Sequence, residues 1–577
     1  MLNKPNVIFI LADDMGYGDL GVFGDGSAKT PNLDRLVSEG VCLSHYYTPS
    51  PVCAPARAGI LTGRYPHRTG AIDTYEAYGV DRLSLKETTL ADVLRANGCR
   101  TGLVGKWHLG AFGDAYAPRG RGFDEAVCFR GGWSDYYKFK LDDNGVKRVG
   151  AGEYLTDVFT AEAVKFIEKH AGGACFDIGA DGSDCDIDAD GSGCDIGASG
   201  ASCAGNNVNM GGADITDASD NADDYGNRQS TGGPCSPFFL HVTYNAPHFP
   251  FQCPDEYVRQ FRETGKFNDT LSTLYGMINC MDRGIGEIMD CVKRCGIEND
   301  TIIIFASDNG PQLGGDTNRY NCFLHGEKGT SFDGGIRVPA IVKWPGMIAA
   351  DSRVHGLVHG CDWFPTLLEV CGIPIPENLS LDGRSALAIL TNKSLDIQQH
   401  HSDVTPDIHL HNSDITLDIQ LHHSDVTPDM QLHPSDASKT PETANTAPAP
   451  KAAPPEPKRF WQWNRLTPVS KCNAAVRDGK WKLVWPVIPE AMAVPPDADK
   501  LDARMKLVDG YPTELTPYDD SFRNIPPPRP AQLYNLEDDP LERNDLAASR
   551  PDLAARLTAD FERWFAEVET ERRTIKD

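Results

Sequence analysis

Cys53 opens the run C-A-P-A-R-A-G-I-L-T-G-R, which closes at Arg64. Pro55 suits the first turn of a helix, where a missing N–H costs nothing. Ala56 to Leu61 are mostly good helix formers, and Thr62-Gly63 reads as a stop. This spacing puts Cys53 at a helix N-terminus, where free N–H groups and the helix dipole favour an anion. Arg57, one turn on, can aim its guanidinium at the same point. A second set of residues is acidic. Asp13 and Asp14 follow the apolar run V-I-F-I-L-A, and Asp308-Asn309 follow another, I-I-I-F-A-S. Three carboxylates and one amide oxygen form an all-oxygen set for a hard divalent cation, and without one the carboxylates would repel. A third set is basic: Lys106 and His108 in G-K-W-H-L-G, His248 in N-A-P-H, and Lys328 in G-E-K-G. Alternate residues of an extended segment share a face, so Lys106 and His108 can point together. Each residue alone has an ordinary reading as a buried thiol, a polar strand exit or a solvated lysine. Their combination and order are far more specific.

The elements that must position these groups are legible in the apolar pattern. Asn6 to Ala12, Thr101 to Val104, Phe238 to Tyr244, Thr301 to Ala306 and Ala340 to Trp344 read as buried strands. Pro31 to Glu39, Thr88 to Asn97, Tyr154 to His170, Asp269 to Cys295 and Asp362 to Val370 read as helices. Strands alternating with helices predict an α/β fold, a large mostly parallel sheet sandwiched by helices. Ligands bind at the C-terminal edge of such a sheet, which is where Asp13, Lys106, His248 and Asp308 fall. His241, inside a strand, reads as a structural histidine. A smaller C-terminal α+β subdomain follows, with a hairpin around Asp478-Gly479, a last strand from Leu533, and a helix from Pro551 to Glu567. Trp133, Tyr136 and Tyr137 suit either stacking on a sugar face or a place in the core.

The run from Cys53 to Arg64 closely resembles the signature of the type I sulfatases, C-x-P-[S/A]-R-x-x-x-x-T-G-R. G-K-W-H-L-G, the two acidic strand exits and G-E-K-G-T-S-F-D-G-G-I-R-V-P extend the resemblance over most of the chain. It implies an alkaline-phosphatase-like fold and hydrolysis of sulfate monoesters, with sulfated carbohydrates as the expected substrates. It implies that Cys53 is oxidised to formylglycine, whose hydrate is the nucleophile, and so a formylglycine-generating maturation enzyme as partner. It assigns catalytic roles to Cys53, Arg57, Lys106, His108, His248 and Lys328. It assigns calcium to Asp13, Asp14, Asp308 and Asn309. Ala56 replaces the commoner serine of the signature.

The chain has 577 residues and a net charge of −27. That acidity excludes general nucleic-acid binding, and any attraction for sulfate must be local. No stretch approaches the roughly 18 apolar residues of a membrane span. Without a signal peptide the expected location is cytoplasmic, or periplasmic or secreted if a leader is missing. The 17 cysteines include several in core-like strands, which argues against a full disulfide framework. Two segments break the pattern. Residues 171–236 are rich in Gly, Asp and Cys, with a nine-residue C-D-I repeat from Cys185 and Cys194 and a partial calcium-loop pattern, Asp186-x-Asp188-x-Asp190-Gly191. Residues 391–458 carry an eleven-residue Ser-Asp repeat, seven histidines and a proline-rich tail. Neither has the apolar residues to bury a core. The predicted organisation is thus a catalytic domain over 1–390, interrupted at 171–236, a repeat insertion over 391–458 and a C-terminal subdomain over 459–577. Two rival functions remain open at this point. One is a phosphomonoester or phosphonate hydrolase, and the other is a metal-buffering or carbohydrate-binding protein whose repeats do the work.

Overall fold

The computed structural model describes residues 4–171, 236–391, 457–507 and 514–576. A ten-stranded mixed sheet forms its centre. Its order is Ser352–Val354, Val41–Leu43, Ala340–Lys343, Thr301–Ser307, Asn6–Ala12, Phe238–Thr243, Arg100–Lys106, Glu125–Phe129, Lys140–Asp143 and Val146–Val149. From Thr301–Ser307 to Glu125–Phe129 neighbouring strands are parallel, and antiparallel strands flank this block. The apolar runs are continuous because both faces of the block are covered. Ile8, Ile10 and Ala12 enter one core with the helices Pro31–Glu39, Leu155–His170 and Asp269–Arg294. Val7, Phe9 and Leu11 enter the other with Cys53–Thr62, Leu90–Ala96 and Trp363–Val370.

Register sets the level of the site. Ala12 lies beside Ser307, Leu11 beside Thr243, and Gly105 beside Thr243. The parallel strands therefore end together, and the residues at their exits collect on one edge.

A separate antiparallel sheet is formed by Arg459–Gln462, Ala474–Asp478, Trp481–Trp485 and Gln532–Asn535, in that order. Asp478 pairs with Trp481, so Gly479-Lys480 is a two-residue turn, and Gly479 has φ +56°. The Pro551–Arg572 helix packs Leu557, Phe561 and Trp564 against Val476, Leu483 and Trp485, and against Tyr65 from the large sheet's side. No disulfide links any of the twelve described cysteines to another, and Cys291 Sγ lies 4.0 Å from Cys295 Sγ. Among the described residues no helix is long and apolar enough to cross a membrane. The C-D-I repeat, the Asp186-to-Gly191 pattern and the histidine-bearing repeat lie outside the described residues.

Candidate active site

Cys53 is the first residue of a ten-residue helix ending at Thr62. Val52 is extended before it, and Gly63 ends it at φ +68°. Every residue of the helix is buried. Burial alone would raise the pKa of the Cys53 thiol, but the Lys106 and Lys328 ammoniums draw it down to about 6. The position favours an anionic nucleophile.

Three carboxylates face three fixed cations at the strand exits. Lys106 Nζ donates to Asp13 Oδ2 at 2.6 Å. Arg57 Nη2 and Nε donate to Asp308 Oδ2 at 2.7 and 3.0 Å. Lys328 Nζ donates to Asp14 Oδ2 at 2.7 Å. The Asp14 N–H donates to Asp308 Oδ1 at 3.3 Å, and Asn309 Nδ2 donates to Asp14 Oδ1 at 2.7 Å. Burial favours a proton on each acid, and neighbouring charge sorts them. Lys328 and His248 hold Asp14 far below the usual carboxylate range. Burial raises Asp13 in spite of Lys106. Burial and the charge of Asp13 push Asp308 up to about 6 in spite of Arg57.

Asp13 Oδ1 and Asn309 Oδ1 are buried with no hydrogen-bond partner among the described residues. One ligand atom from each of Asp13, Asp14, Cys53 and His248 lies within 4.8 Å of the others. Buried oxygens left unsatisfied among crowded carboxylates fit a hard divalent cation. Asp308 and Asn309, tied to Asp14, supply further oxygens beside this cluster. An oxygen-dominated set suits calcium or magnesium better than a soft metal, despite the nearby sulfur and imidazole.

The histidines divide in role. His241 Nδ1 lies 3.1 Å from Phe9 O, and burial lowers its pKa to about 3, so it is structural. His248 Nε2 lies 3.9 Å from Asp14 Oδ2, and its Nδ1 lies 2.6 Å from Phe249 O. Burial lowers its pKa, but Asp13 and Asp14 more than offset this and raise it. His108 departs from the sequence-based expectation. The strand ends at Lys106, and His108 sits at φ +54°, so the two do not share a face by strand alternation. A left-handed residue instead turns the ring, and Nε2 lies 3.1 Å from Thr74 O. Of the two places open to Tyr136 in the sequence, the structure gives it the core, where it cannot stack on a sugar. It is wholly buried against Tyr154, and its hydroxyl donates to Asn245 O and His248 O at 2.7 and 3.0 Å. Trp133 remains at the rim, its ring 6.3 Å from that of Phe249, which is 55% exposed.

The family model for sulfatases matches residues 5–176 and 198–373. The chain belongs to the sulfatase family. Arylsulfatase J of Mus musculus is 33% identical over 397 residues, covering 66% of this chain and 55% of that protein. N-acetylgalactosamine-6-sulfatase of Mus musculus is 30% identical over 418 residues, covering 66% of this chain and 65% of that protein. The matches thus span less than two thirds of either relative. The structure of Ps i-CgsB in complex with k-i-k-neocarrahexaose shares the fold, with a TM-score of 0.64 and 24% identity. That comparison covers 97% of this chain and 93% of the other.

Within this sulfatase-family site, some supporting residues left no trace in the sequence pattern. Arg319 pairs with Asp19 at 2.7 and 2.9 Å and donates to Asp14 O at 3.2 Å, bracing Asp14 at its left-handed φ of +67°. The Lys328 N–H donates to Pro311 O and the Gly329 N–H to Pro51 O, both at 2.9 Å, which ties the lysine's loop to the loop before Cys53.

Proposed function

We propose that the chain is a sulfuric ester hydrolase acting on sulfate monoesters of glycans, with Cys53 matured to formylglycine and calcium held by Asp13, Asp14, Asp308 and Asn309. The position of Cys53 carries the reading: a buried nucleophile between Lys106 and Lys328, beside converging carboxylates. Three carboxylates cancel Arg57, Lys106 and Lys328, so a divalent cation together with protonated His248 would leave the site net positive, suited to a sulfate group. That cation would supply Lewis-acid stabilisation to the sulfate oxygens. Formylglycine would supply, as its hydrate, one hydroxyl to attack sulfur and a second to expel sulfate.

The chain's own residues do the rest. Side chains of His248 and Lys328 are 16% and 17% exposed, whereas Asp13, Lys106 and Asp308 are sealed. Sulfate therefore enters between His248 and Lys328. Lys106, Lys328 and Arg57 stabilise the charge on its oxygens. His248 anchors Nδ1–H on Phe249 O and presents Nε2 to protonate the leaving oxygen. His108, with Nε2–H on Thr74 O, keeps its lone pair on Nδ1 as the base that restores the site. Trp133 and Phe249 supply apolar ring faces next to His248, which suits a sugar leaving group. An N-acetylgalactosamine-6-sulfatase and a sulfatase-like fold in complex with k-i-k-neocarrahexaose, both similar to this chain, support the same substrate class.

The test is mass spectrometry of the Cys53 peptide from protein made with a formylglycine-generating enzyme, paired with rates on aryl sulfate and aryl phosphate. An aldehyde and a clear preference for sulfate are expected. A preference for phosphate would transfer the site to the phosphomonoester or phosphonate class.

A further inference from the structure

We propose that Asn473, the residue just before the second strand of the C-terminal sheet, is a positioning residue for Lys328; the inference rests on the sulfate-hydrolase reading of the site. Lys328 has a flexible four-carbon stem, so its ammonium is only as well placed as its backbone. That backbone lies in a loop outside any helix or strand. Asn473 grips the loop just past the lysine. Its Nδ2 donates to Gly329 O at 2.8 Å and to Trp463 O at 2.9 Å. Its Oδ1 accepts from the Ser331 N–H at 2.9 Å, and its carbonyl accepts from Ser331 Oγ at 2.7 Å. A Cβ at Gly329 would meet the Trp463 ring at 3.3 Å, so the same segment also limits the loop's bulk.

The residue type is required twice over. Asn473 has φ +47°, a left-handed conformation that asparagine tolerates better than most residues. It is 2% exposed, and its amide is both donor and acceptor. Glycine would keep the backbone and lose the grip. Aspartate would keep the acceptor and lose both donations. The segment that carries Asn473 reaches the other side of the site as well. Arg465 Nη1 donates to Thr74 Oγ1 at 2.7 Å and to Asp73 Oδ1 at 2.9 Å, and Thr74 O is the partner of His108. The connection between the first two strands of the small sheet thus braces the loops that carry both Lys328 and His108's acceptor.

The test is a double-mutant cycle of Asn473→Gly with Lys328→Ala in the full-length matured protein, with Asn473→Asp as a second probe of position 473. Two readouts are taken: kcat/KM on an aryl sulfate, and calorimetric affinity for inorganic sulfate. Asn473→Gly is expected to lower kcat/KM and sulfate affinity by about 10–100-fold, the usual cost of losing a group that orients a ligand-binding residue. In the Lys328→Ala background it should cost almost nothing more, because the two act as one unit. Asn473→Asp should follow Asn473→Gly. Equal fold-losses in both backgrounds, or a folded variant with wild-type kcat/KM and sulfate affinity, would overturn the proposal. Wild-type protein that binds sulfate without turnover rejects the hydrolase reading and leaves the affinity cycle to decide on Asn473. Wild-type protein that does neither rejects both.

Discussion

The hydroxyl of Tyr136 serves two carbonyls, those of Asn245 and His248, from a wholly buried position. Tyr136→Phe keeps the ring packing and strips that donor, at a cost of about 1–3 kcal/mol in unfolding free energy. Denaturant titration measures it. The larger effect falls on His248, whose backbone loses its anchor. The variant should lose more kcat on sulfated sugars, whose leaving oxygen needs a proton, than on nitrophenyl sulfate, whose leaving group does not. Equal losses on both would remove His248 from the acid role. At His108 the expected signature is kinetic. His108→Ala should release one equivalent of alcohol in a burst and then turn over slowly, as rapid-quench assay would show; steady turnover at the wild-type rate would sink the assignment. The carboxylates make a metal prediction. Chelation should abolish activity and lower the melting temperature, and calcium should restore both, with Asp13→Asn insensitive to either treatment. Little of this detail was legible in the chain. The residue types were visible in the motifs, but a left-handed turn at His108 and a tyrosine facing inward leave no periodic mark.

At the scale of elements, apolar runs told the strands and helices apart because the parallel block is covered on both faces. Boundaries shifted mainly where caps decide them: the Thr88-to-Asn97 reading narrows to Leu90–Ala96, with Thr89 capping through Asp92. The joint between the two sheets was not legible. It depends on pairs far apart in sequence, above all Lys482, whose ammonium lies 2.6 Å from Asp333 and 2.7 Å from Glu542. Burial pushes the Glu542 carboxyl up to about 7, since Lys482 cannot neutralise two acids, while Asp333 is held down to about 2. An acid raised from its ordinary value contributes stability below that value, and loses it as pH rises through the folded pKa. Wild-type unfolding free energy should therefore fall between about pH 5 and 7 through this group, and Glu542→Gln should flatten that part of the profile. An unchanged slope in the variant would exclude the joint as its source.

At the scale of the whole molecule, the charge of −27 opposes any polyanionic glycan. On the proposed function, a locally positive pocket would have to act at close range through this field. Added salt should lower KM for a sulfated polymer and leave KM for a small aryl sulfate nearly unchanged. Deleting 172–235 and 392–456 should cost little activity, whereas a repeat-driven function predicts its loss. The burial of the Cys53 helix has a further consequence, one of timing. Cys53 is 2% exposed, and all ten residues of its helix are sealed in the fold. A small anion would need only the opening at His248 and Lys328, but a second enzyme could not draw that stretch of chain into its own cleft. On the proposed function, the oxidation of Cys53 would have a deadline, the moment the large sheet closes. Protein that folded first would then stay a thiol, and only unfolding would return it to the queue.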